Sequence, residues 1–257
     1  MVKILMHGCS GHMGRVIIAL AQGDPEIEIT AGVDPAGSKS ADFPVYKSVE
    51  EFGQKGKEEV DVAVDFSTAA AADELLAYCA RTQTPCVLCT TGLSEAQLAG
   101  AEEAAKSTAI LRSANMSLGI NLFIKLLKEA AGVLAEAGFD IEIVEKHHNR
   151  KLDAPSGTAL ALADSMNEEL GNAYHYVYDR SGRRQKRDEK EIGISAVRGG
   201  TIVGDHDVIF AGEDEVITFT HTAYSRNIFA KGAVEAAKYL KGKTAGMYDM
   251  SDVINRG

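Results

Sequence analysis

The chain has 257 residues, 45% apolar and 25% charged, with a formal net charge of −10. That composition is globular and the length suits two modest cores, while the acidic balance disfavours nonspecific nucleic-acid binding. No apolar run approaches the roughly 20 residues of a membrane span; the richest, Leu118 to Leu134, is interrupted by Lys125, Lys128 and Glu129. A soluble, cytoplasmic protein is expected, with no room for a leader ahead of the first strand.

In chain order, apolar runs alternate with amphipathic ones: Val2 to Met6, then Met13 to Ala21; Ile27 to Val33; Val60 to Asp65, then Ala69 to Arg81; Cys86 to Cys89, then Glu95 to Lys106; Ala109 to Leu111. Strands too apolar to alternate, each followed by a helix, predict a doubly wound parallel sheet of the Rossmann type. Cys86 and Cys89 have the spacing of a redox or zinc half-site. They lie in a run that reads as a buried strand and no second pair follows, so reduced core thiols and no metal are expected.

From Ser117 to about Glu136, Ile120, Phe123, Ile124, Leu127, Ala131 and Leu134 form the apolar stripe of one long helix, expected to bridge two domains. Beyond it, Asp140 to Glu145, Ile192 to Val197, Thr201 to Val203, His206 to Ala211 and Val216 to His221 read as strands with few helices between them. This predicts an α+β domain with a mostly antiparallel or mixed sheet. Tyr174 to Glu191 reads as a long polar loop, and its basic cluster from Arg180 to Lys190 leaves room for a bound anion. A final helix, Ile228 to Leu240, is Ala-rich like those of the first domain and is expected to return there. The predicted division is 1–117 completed by 228–257 as a dinucleotide-binding domain, and 118–227 as a substrate-binding and oligomerisation domain.

Directly after the first strand comes Gly8-Cys9-Ser10-Gly11-His12-Met13-Gly14, leading into good helix formers. In a strand–turn–helix, glycines let the backbone approach a pyrophosphate, whose charge is met by N–H groups at the helix N-terminus. Ser10 stands where the usual fingerprint has its second glycine, so the loop alone is a weak signal. Asp34, at the end of the second strand, supplies the acidic side chain expected to bind adenosine ribose hydroxyls. Pro35 follows it, with no adjacent arginine for a 2′-phosphate. NADH is therefore favoured, while Lys39 and His12 leave NADPH open. Cys89-Thr90-Thr91-Gly92 and Ser113-Ala114-Asn115-Met116 follow later strands, where ligand-lining loops converge in an open α/β sheet. By itself, each such loop is more often ordinary turn chemistry.

Residues 145 to 159 read E-K-H-H-N-R-K-L-D-A-P-S-G-T-A. Histidines and cations stand beside Pro155, Ser156, Gly157 and Thr158, which suit the first turn of a helix. A carboxylate could accept the N–H groups of Gly157 and Thr158 and the threonine hydroxyl, with Lys151 or a histidine supplying charge. Histidine and a perturbed lysine also suit proton donation at neutral pH. A solvated basic loop capping a helix would look the same. Adjacent His147 and His148 make a poor metal pair, because sequence neighbours rarely face one ion.

This segment, E-x-H-H-x-x-K-x-D-A-P-S-G-T-A, resembles the signature of the 4-hydroxy-tetrahydrodipicolinate reductase family, also called dihydrodipicolinate reductases. Further agreement comes from the glycine loop with its Met-Gly ending, Asp65-Phe66-Ser67, Thr90-Thr91-Gly92, Ala114-Asn115, Arg198-Gly199-Gly200 through Gly204-Asp205-His206, and Ser225-Arg226 into Phe229-Ala230-Lys231-Gly232-Ala233. The resemblance implies an oxidoreductase of lysine and diaminopimelate biosynthesis using NADH or NADPH, with His147 as catalytic acid/base and Lys151 as proton donor. It implies that His148, Gly157 and Thr158 hold the substrate carboxylates. It places the cofactor on Gly8, Cys9, Ser10, Gly11, His12, Met13, Asp34, Cys89, Thr90, Thr91, Ser113, Ala114, Asn115 and Met116. In the family the position of Cys89 is commonly glycine. A homotetramer built through the sheets of the second domain is also implied. With cofactor and substrate on different domains, the connectivity leads to the expectation of closure about the Ser117 and Arg226 regions.

Overall fold

The computed structural model describes residues 1–37 and 42–255. In chain order the elements are β1 (Val2–His7), α1 (His12–Gln22), β2 (Ile27–Val33), β3 (Val45–Tyr46), α2 (Val49–Lys55), β4 (Val62–Asp65), α3 (Ala69–Thr82), β5 (Cys86–Leu88), α4 (Glu95–Ala104) and β6 (Ala109–Leu111). Then come α5 (Leu118–Leu134), β7 (Asp140–His147), α6 (Gly157–Glu169), β8 (His175–Val177), β9 (Glu191–Arg198), β10 (Gly204–Ala211), β11 (Val216–Ala223), α7 (Asn227–Leu240), β12 (Gly246–Tyr248) and α8 (Met250–Ile254). They form two compact units, one of Met1–Leu118 with the chain from Asn227 onward, the other of Gly119–Arg226.

In the first unit, all seven strands pair in parallel in the order β12-β6-β5-β4-β1-β2-β3. The sheet is apolar on both sides because both are covered. Ile4 and Met6 of β1 enter a core with Ile17 of α1 and Ala233 and Ala237 of α7, whereas Leu5 between them enters a second core with Leu75 and Cys79 of α3. Strands buried on both faces cannot alternate, which is why the parallel reading holds. The order reverses between β1 and β4, and the loops leaving those two strands are the place where an open α/β sheet accepts ligands. The helix from Ile228 does return to this unit, packing on α1 and on the sheet.

In the second unit the sheet is mixed, in the order β11-β10-β7-β9-β8; β10 is antiparallel to β7 and β11, while β7, β9 and β8 run parallel. Alternation is clean along β7 and β10, because only one face is packed. Ile141, Ile143, Ile194, Val208 and Phe210 meet Ile120, Phe123 and Leu127 of α5 and Leu162 and Met166 of α6.

Two sequence expectations are corrected here. Thr201 to Val203 is not a strand: after β9 the chain turns at Gly199–Gly200, with Gly199 N–H donating to His147 O and Asn149 N–H to Gly200 O, and pairing resumes only at Gly204. Tyr174 to Glu191 is not all loop, since β8 lies within it and pairs with β9. Three arginines of the basic cluster in that segment pair with carboxylates of the sheet. Arg180 pairs with Glu142 and Glu191, Arg183 with Glu191, and Arg187 with Asp140 and Glu142. The Arg180 hydrogen bond first, then Arg183, draws the Glu191 carboxyl down to about 2. These three guanidinium groups are thus engaged with carboxylates of the sheet.

Candidate active site

At the C-terminal end of β1, the backbone makes the tight strand-to-helix turn that the glycine pattern predicts. Gly8 sits at φ +80°, and a Cβ there would come 2.6 Å from Phe66 O in the loop after β4. Gly11 precedes α1, with no side chain capping the helix N-terminus, so its first N–H groups face outward as an anion cradle requires. Ser10 explains its own departure from the fingerprint. Its N–H donates to Asp34 Oδ2 at 3.0 Å and its hydroxyl to Gly37 O at 3.1 Å, tying the loop to the end of β2. Asp34 Oδ1 accepts from Ala36 N–H. The aspartate proposed for the ribose is therefore held rigidly by the loop that would hold the pyrophosphate.

Beneath that loop lies a pair missing from the sequence reading. His7 Nδ1 is 2.8 Å from Asp65 Oδ1, and both side chains are buried. Burial opposes ionisation of Asp65, but the His7 hydrogen bond, with help from Ser67, holds its carboxyl below the usual range. The pair ties the ends of β1 and β4 together at the switch point.

The remaining cofactor candidates contribute mainly backbone. Cys9 is buried and packs against Gly32; Met116 is buried in the first core, and Met13 packs on it. Ser113 Oγ accepts from Met250 N–H and Asn115 Oδ1 from Ser117 N–H, so both side chains shape the loop. Cys89 is half-buried, Thr90 buried, and His12, Thr91 and Ala114 exposed. Burial pushes the Cys89 thiol far above its ordinary range, as expected of a core thiol rather than a nucleophile. Lys39 lies outside the described residues. Among the described residues no group of three or more His, Cys, Asp or Glu side chains could hold a metal.

Gly14 gives a direct test of this cradle. A Cβ on it would lie 2.3 Å from Gly8 O and 2.8 Å from Cys9 Cα, both backbone atoms that cannot swing aside. Gly14→Ala is expected to cost about 1–3 kcal/mol by overpacking and to weaken dinucleotide binding, measured by urea unfolding and by NADH fluorescence titration.

In the second unit the segment from Glu145 becomes a compact network. Period-2 geometry puts Glu145 and His147 on one face of β7, and the register sets Arg198 beside His147 and His206 beside Glu145. His147 Nδ1 lies 2.6 Å from Glu145 Oε2. Arg198 donates to both Glu145 oxygens, at 2.8 and 2.7 Å, and to Asp153 O at 2.6 Å. Ser156 N–H donates to Glu145 Oε1 at 2.9 Å. Burial works against the ionised form of Glu145, but Arg198, His147 and Ser156 together keep its carboxyl below the usual range. The carboxylate fixes the imidazole through Nδ1 and leaves Nε2 beside Gly204, where a Cβ would approach it to 3.0 Å.

Ser156 is the cap of α6, accepting from Ala159 N–H, and it shares a 3.1 Å hydrogen bond with His206 Nε2. Burial first, then the neighbouring His147, brings His206 down to about 4, so it is neutral at physiological pH. Gly157 and Thr158 form the first turn of α6; Gly157 is exposed and Thr158 half-buried. Lys151 Nζ is 2.8 Å from Asp153 Oδ1. His148 follows β7, and its Nδ1 is closed off from solvent with no partner among the described residues. Glu145, Ser156, Arg198 and His206 were not singled out as site residues from sequence. The signal for Glu145 was present, since i, i+2 on a strand share a face; Arg198 and His206 needed the strand register.

A histidine oriented by a buried carboxylate, a nearby lysine and an uncrowded helix N-terminus make an acid/base site suited to an anionic substrate. The family described as dihydrodipicolinate reductase, N-terminus, matches residues 2–116, and its C-terminus counterpart matches residues 119–254. A 4-hydroxy-tetrahydrodipicolinate reductase of Caldanaerobacter subterraneus subsp. tengcongensis is 53% identical over 257 residues, covering 100% of both chains. One of Clostridium tetani is 48% identical over 255 residues, covering 99% of this chain and 98% of the other. A dipicolinate-bound dihydrodipicolinate reductase from Paenisporosarcina sp. TG-14 shares the fold, with a TM-score of 0.79 and 24% identity over 97% of each chain. With both halves matched and such relatives aligned from end to end, the chain belongs to the dihydrodipicolinate reductase family.

Proposed function

We propose that this chain catalyses the NAD(P)H-dependent reduction of 4-hydroxy-tetrahydrodipicolinate to tetrahydrodipicolinate in diaminopimelate and lysine biosynthesis. Beyond family membership, one observation carries the reading: His147, oriented by the Glu145–Arg198 network, lies in the same segment as Lys151 and the N-terminus of α6. NAD(P)H, when bound, supplies the two-electron reduction. The residues of the first unit fit it. The glycine loop makes a tight turn, packed so closely on the loop after β4 that a Cβ at Gly8 would meet Phe66 O, and it leads into an α1 N-terminus with no side-chain cap; Asp34 stands ready for ribose hydroxyls at the end of β2. Gly8, Cys9, Ser10, Gly11, His12 and Met13 hold the pyrophosphate side in this reading, with Cys89, Thr90 and Thr91, and Ser113 to Met116, lining the nicotinamide side.

Gly157, Thr158 and His148 bind the substrate carboxylates, using N–H groups, a hydroxyl and an imidazole as donors. The 4-hydroxyl leaves as water, which opens a ring double bond to reduction; Lys151 delivers a proton to the ring carbon next to the one that receives the hydride, and His147, through Nε2, orients the ring and exchanges protons with it. The Glu145 carboxylate keeps His147 in one orientation throughout. Homotetramer formation through the second sheet and a cytoplasmic location belong to the same proposal, supported by the family resemblance. No helix of the described residues is long and apolar enough to cross a membrane.

The experiment is a coupled assay in which the preceding synthase generates the substrate from pyruvate and aspartate semialdehyde while NAD(P)H absorbance is followed. Reduction dependent on the synthase is expected; tight NADH binding without turnover would instead favour a dinucleotide sensor. The same assay tests Asp34. A fixed carboxylate beside the 2′ position repels a phosphate there, so kcat/KM is expected to favour NADH over NADPH by roughly 10-fold, about 1.4 kcal/mol. A strong NADPH preference would show that other side chains govern that position.

A further inference from the structure

The acid/base pair on β7 and the first turn of α6 meet at one buried side chain, Ser156. Its N–H donates to Glu145 Oε1 at 2.9 Å, and its hydroxyl oxygen accepts from Ala159 N–H at 3.1 Å while sharing a 3.1 Å hydrogen bond with His206 Nε2. A serine oxygen has several staggered positions open to it, and the hydrogen bond to His206 selects the one that caps the helix. Gly157, next in the chain, has open space where a side chain would stand, so no packing at that position secures the turn. The His206 ring is itself fixed. Strand pairing sets it between Glu145 and His221, and it is buried. His147 meets it edge to face, with centroids 5.2 Å apart and planes at 75°, and His221 is backed by Phe123 at 6.2 Å. Glu145, by contrast, takes its hydrogen bonds from His147, Arg198 and Ser156, so the orientation of His147 does not depend on His206.

Resting on the functional reading above, we infer that His206 is a positioning residue for substrate binding: through the Ser156 hydroxyl it fixes the first turn of α6, where the substrate carboxylates are proposed to bind, and it leaves the orientation of His147 to Glu145. A serine that loses this partner turns away from Ala159 N–H for part of the time, and a helix whose cap is loosened frays from its first turn. The donors of Gly157 and Thr158 then converge on a carboxylate in only a fraction of the molecules, and affinity falls by that fraction. The effect belongs to binding, because the network that holds the acid/base imidazole stays complete.

The test uses the full-length enzyme in the coupled assay with dipicolinate, a planar dicarboxylate, as competitive inhibitor. Two substitutions separate the ring from its hydrogen bond. His206→Phe keeps a ring beside His147 but offers Ser156 no polar atom; His206→Gln has no ring but carries an amide, able to donate or accept, near the position of Nε2. In His206→Phe the Ki of dipicolinate is expected to rise roughly 5-fold, the scale of one lost hydrogen bond, with KM rising in parallel and kcat moving by a smaller factor. His206→Gln is expected to restore Ki to within about 2-fold of the wild type. His206→Asn, a methylene too short to reach Ser156, should match His206→Phe, and it carries the comparison if phenylalanine disturbs folding. In a Ser156→Ala background, adding His206→Phe should change Ki no further, because the two residues act as one unit. Equal Ki in the glutamine variant and in the phenylalanine or asparagine variant overturns the role, as does a fall in kcat with Ki unchanged, or additive effects in the double variant. Thr158→Val tests the underlying reading: it should raise Ki, and if it does not, the carboxylate site itself is misplaced and the role of His206 falls with it.

Discussion

Lys151→Ala is expected to lower kcat by roughly 100-fold or more, the scale of a lost general acid, while the protein remains folded. Lys151 lies on a surface loop and is ion-paired with the exposed Asp153, so little stability depends on it. Lys151→Arg sharpens the test. Arginine keeps the positive charge but does not give up a proton at any working pH. It should therefore retain dipicolinate binding to within a few-fold and leave kcat low. Near-normal turnover in Lys151→Ala would remove the proton-donor role, and recovery of kcat in Lys151→Arg would reduce Lys151 to a source of charge. The readout is steady-state kinetics with the inhibitor constant measured in parallel.

Arg198→Met should cause the largest loss of stability. Glu145 is fully buried, and Arg198 satisfies both of its oxygens. Removing one partner of a buried pair leaves a charge without compensation and typically costs about 3–5 kcal/mol. The pH dependence distinguishes this cause from a loss of packing. In the wild type the Glu145 carboxyl is depressed, so its contribution is present above the ordinary value of 4.5 and is lost as pH falls below it. Without Arg198, burial dominates and raises the folded-state value above the unfolded one. The variant's deficit is then greatest at neutral and alkaline pH and shrinks on acidification toward 4.5. Urea unfolding at pH 8 and pH 5 measures it; a deficit independent of pH would mean that the guanidinium acts by packing alone.

Much of the first unit was legible because most of its strands are short, largely apolar and followed by helices. Ile27 to Val33 and Ala109 to Leu111 were read at their observed bounds. What was missed there is small. β3 has two residues and β12 three, too few to show a period, although Ser48 with Glu51 carried the cap signature of α2. In the second unit α6 was read only at its first turn, even though Ala159, Leu162, Ala163 and Met166 recur at helical spacing and are buried. The His-His-Lys segment was visible as a cluster of donors. The network that organises it was not, because Arg198 and His206 reach Glu145 through strand pairing, and strand pairing is a property of the sheet that no local pattern states. Likewise, the arginines near 180 looked like an anion site because their carboxylate partners Asp140 and Glu142 lie on another strand.

The double attachment of Asp34 has a consequence for how cofactor preference could be altered. Its carboxylate is both the proposed discriminator at the ribose and the acceptor that fastens Ser10 and Ala36. A single exchange of Asp34 for a neutral or basic residue, aimed at admitting a 2′-phosphate, would also release the glycine loop, so affinity for both dinucleotides would fall before selectivity improved. Redesign toward NADPH is better begun beside Asp34, by adding positive charge at Pro35 or Ala36, and only afterwards at Asp34 itself with a side chain that still accepts from Ser10. Natural lineages that changed preference along this route would have faced the same order of steps.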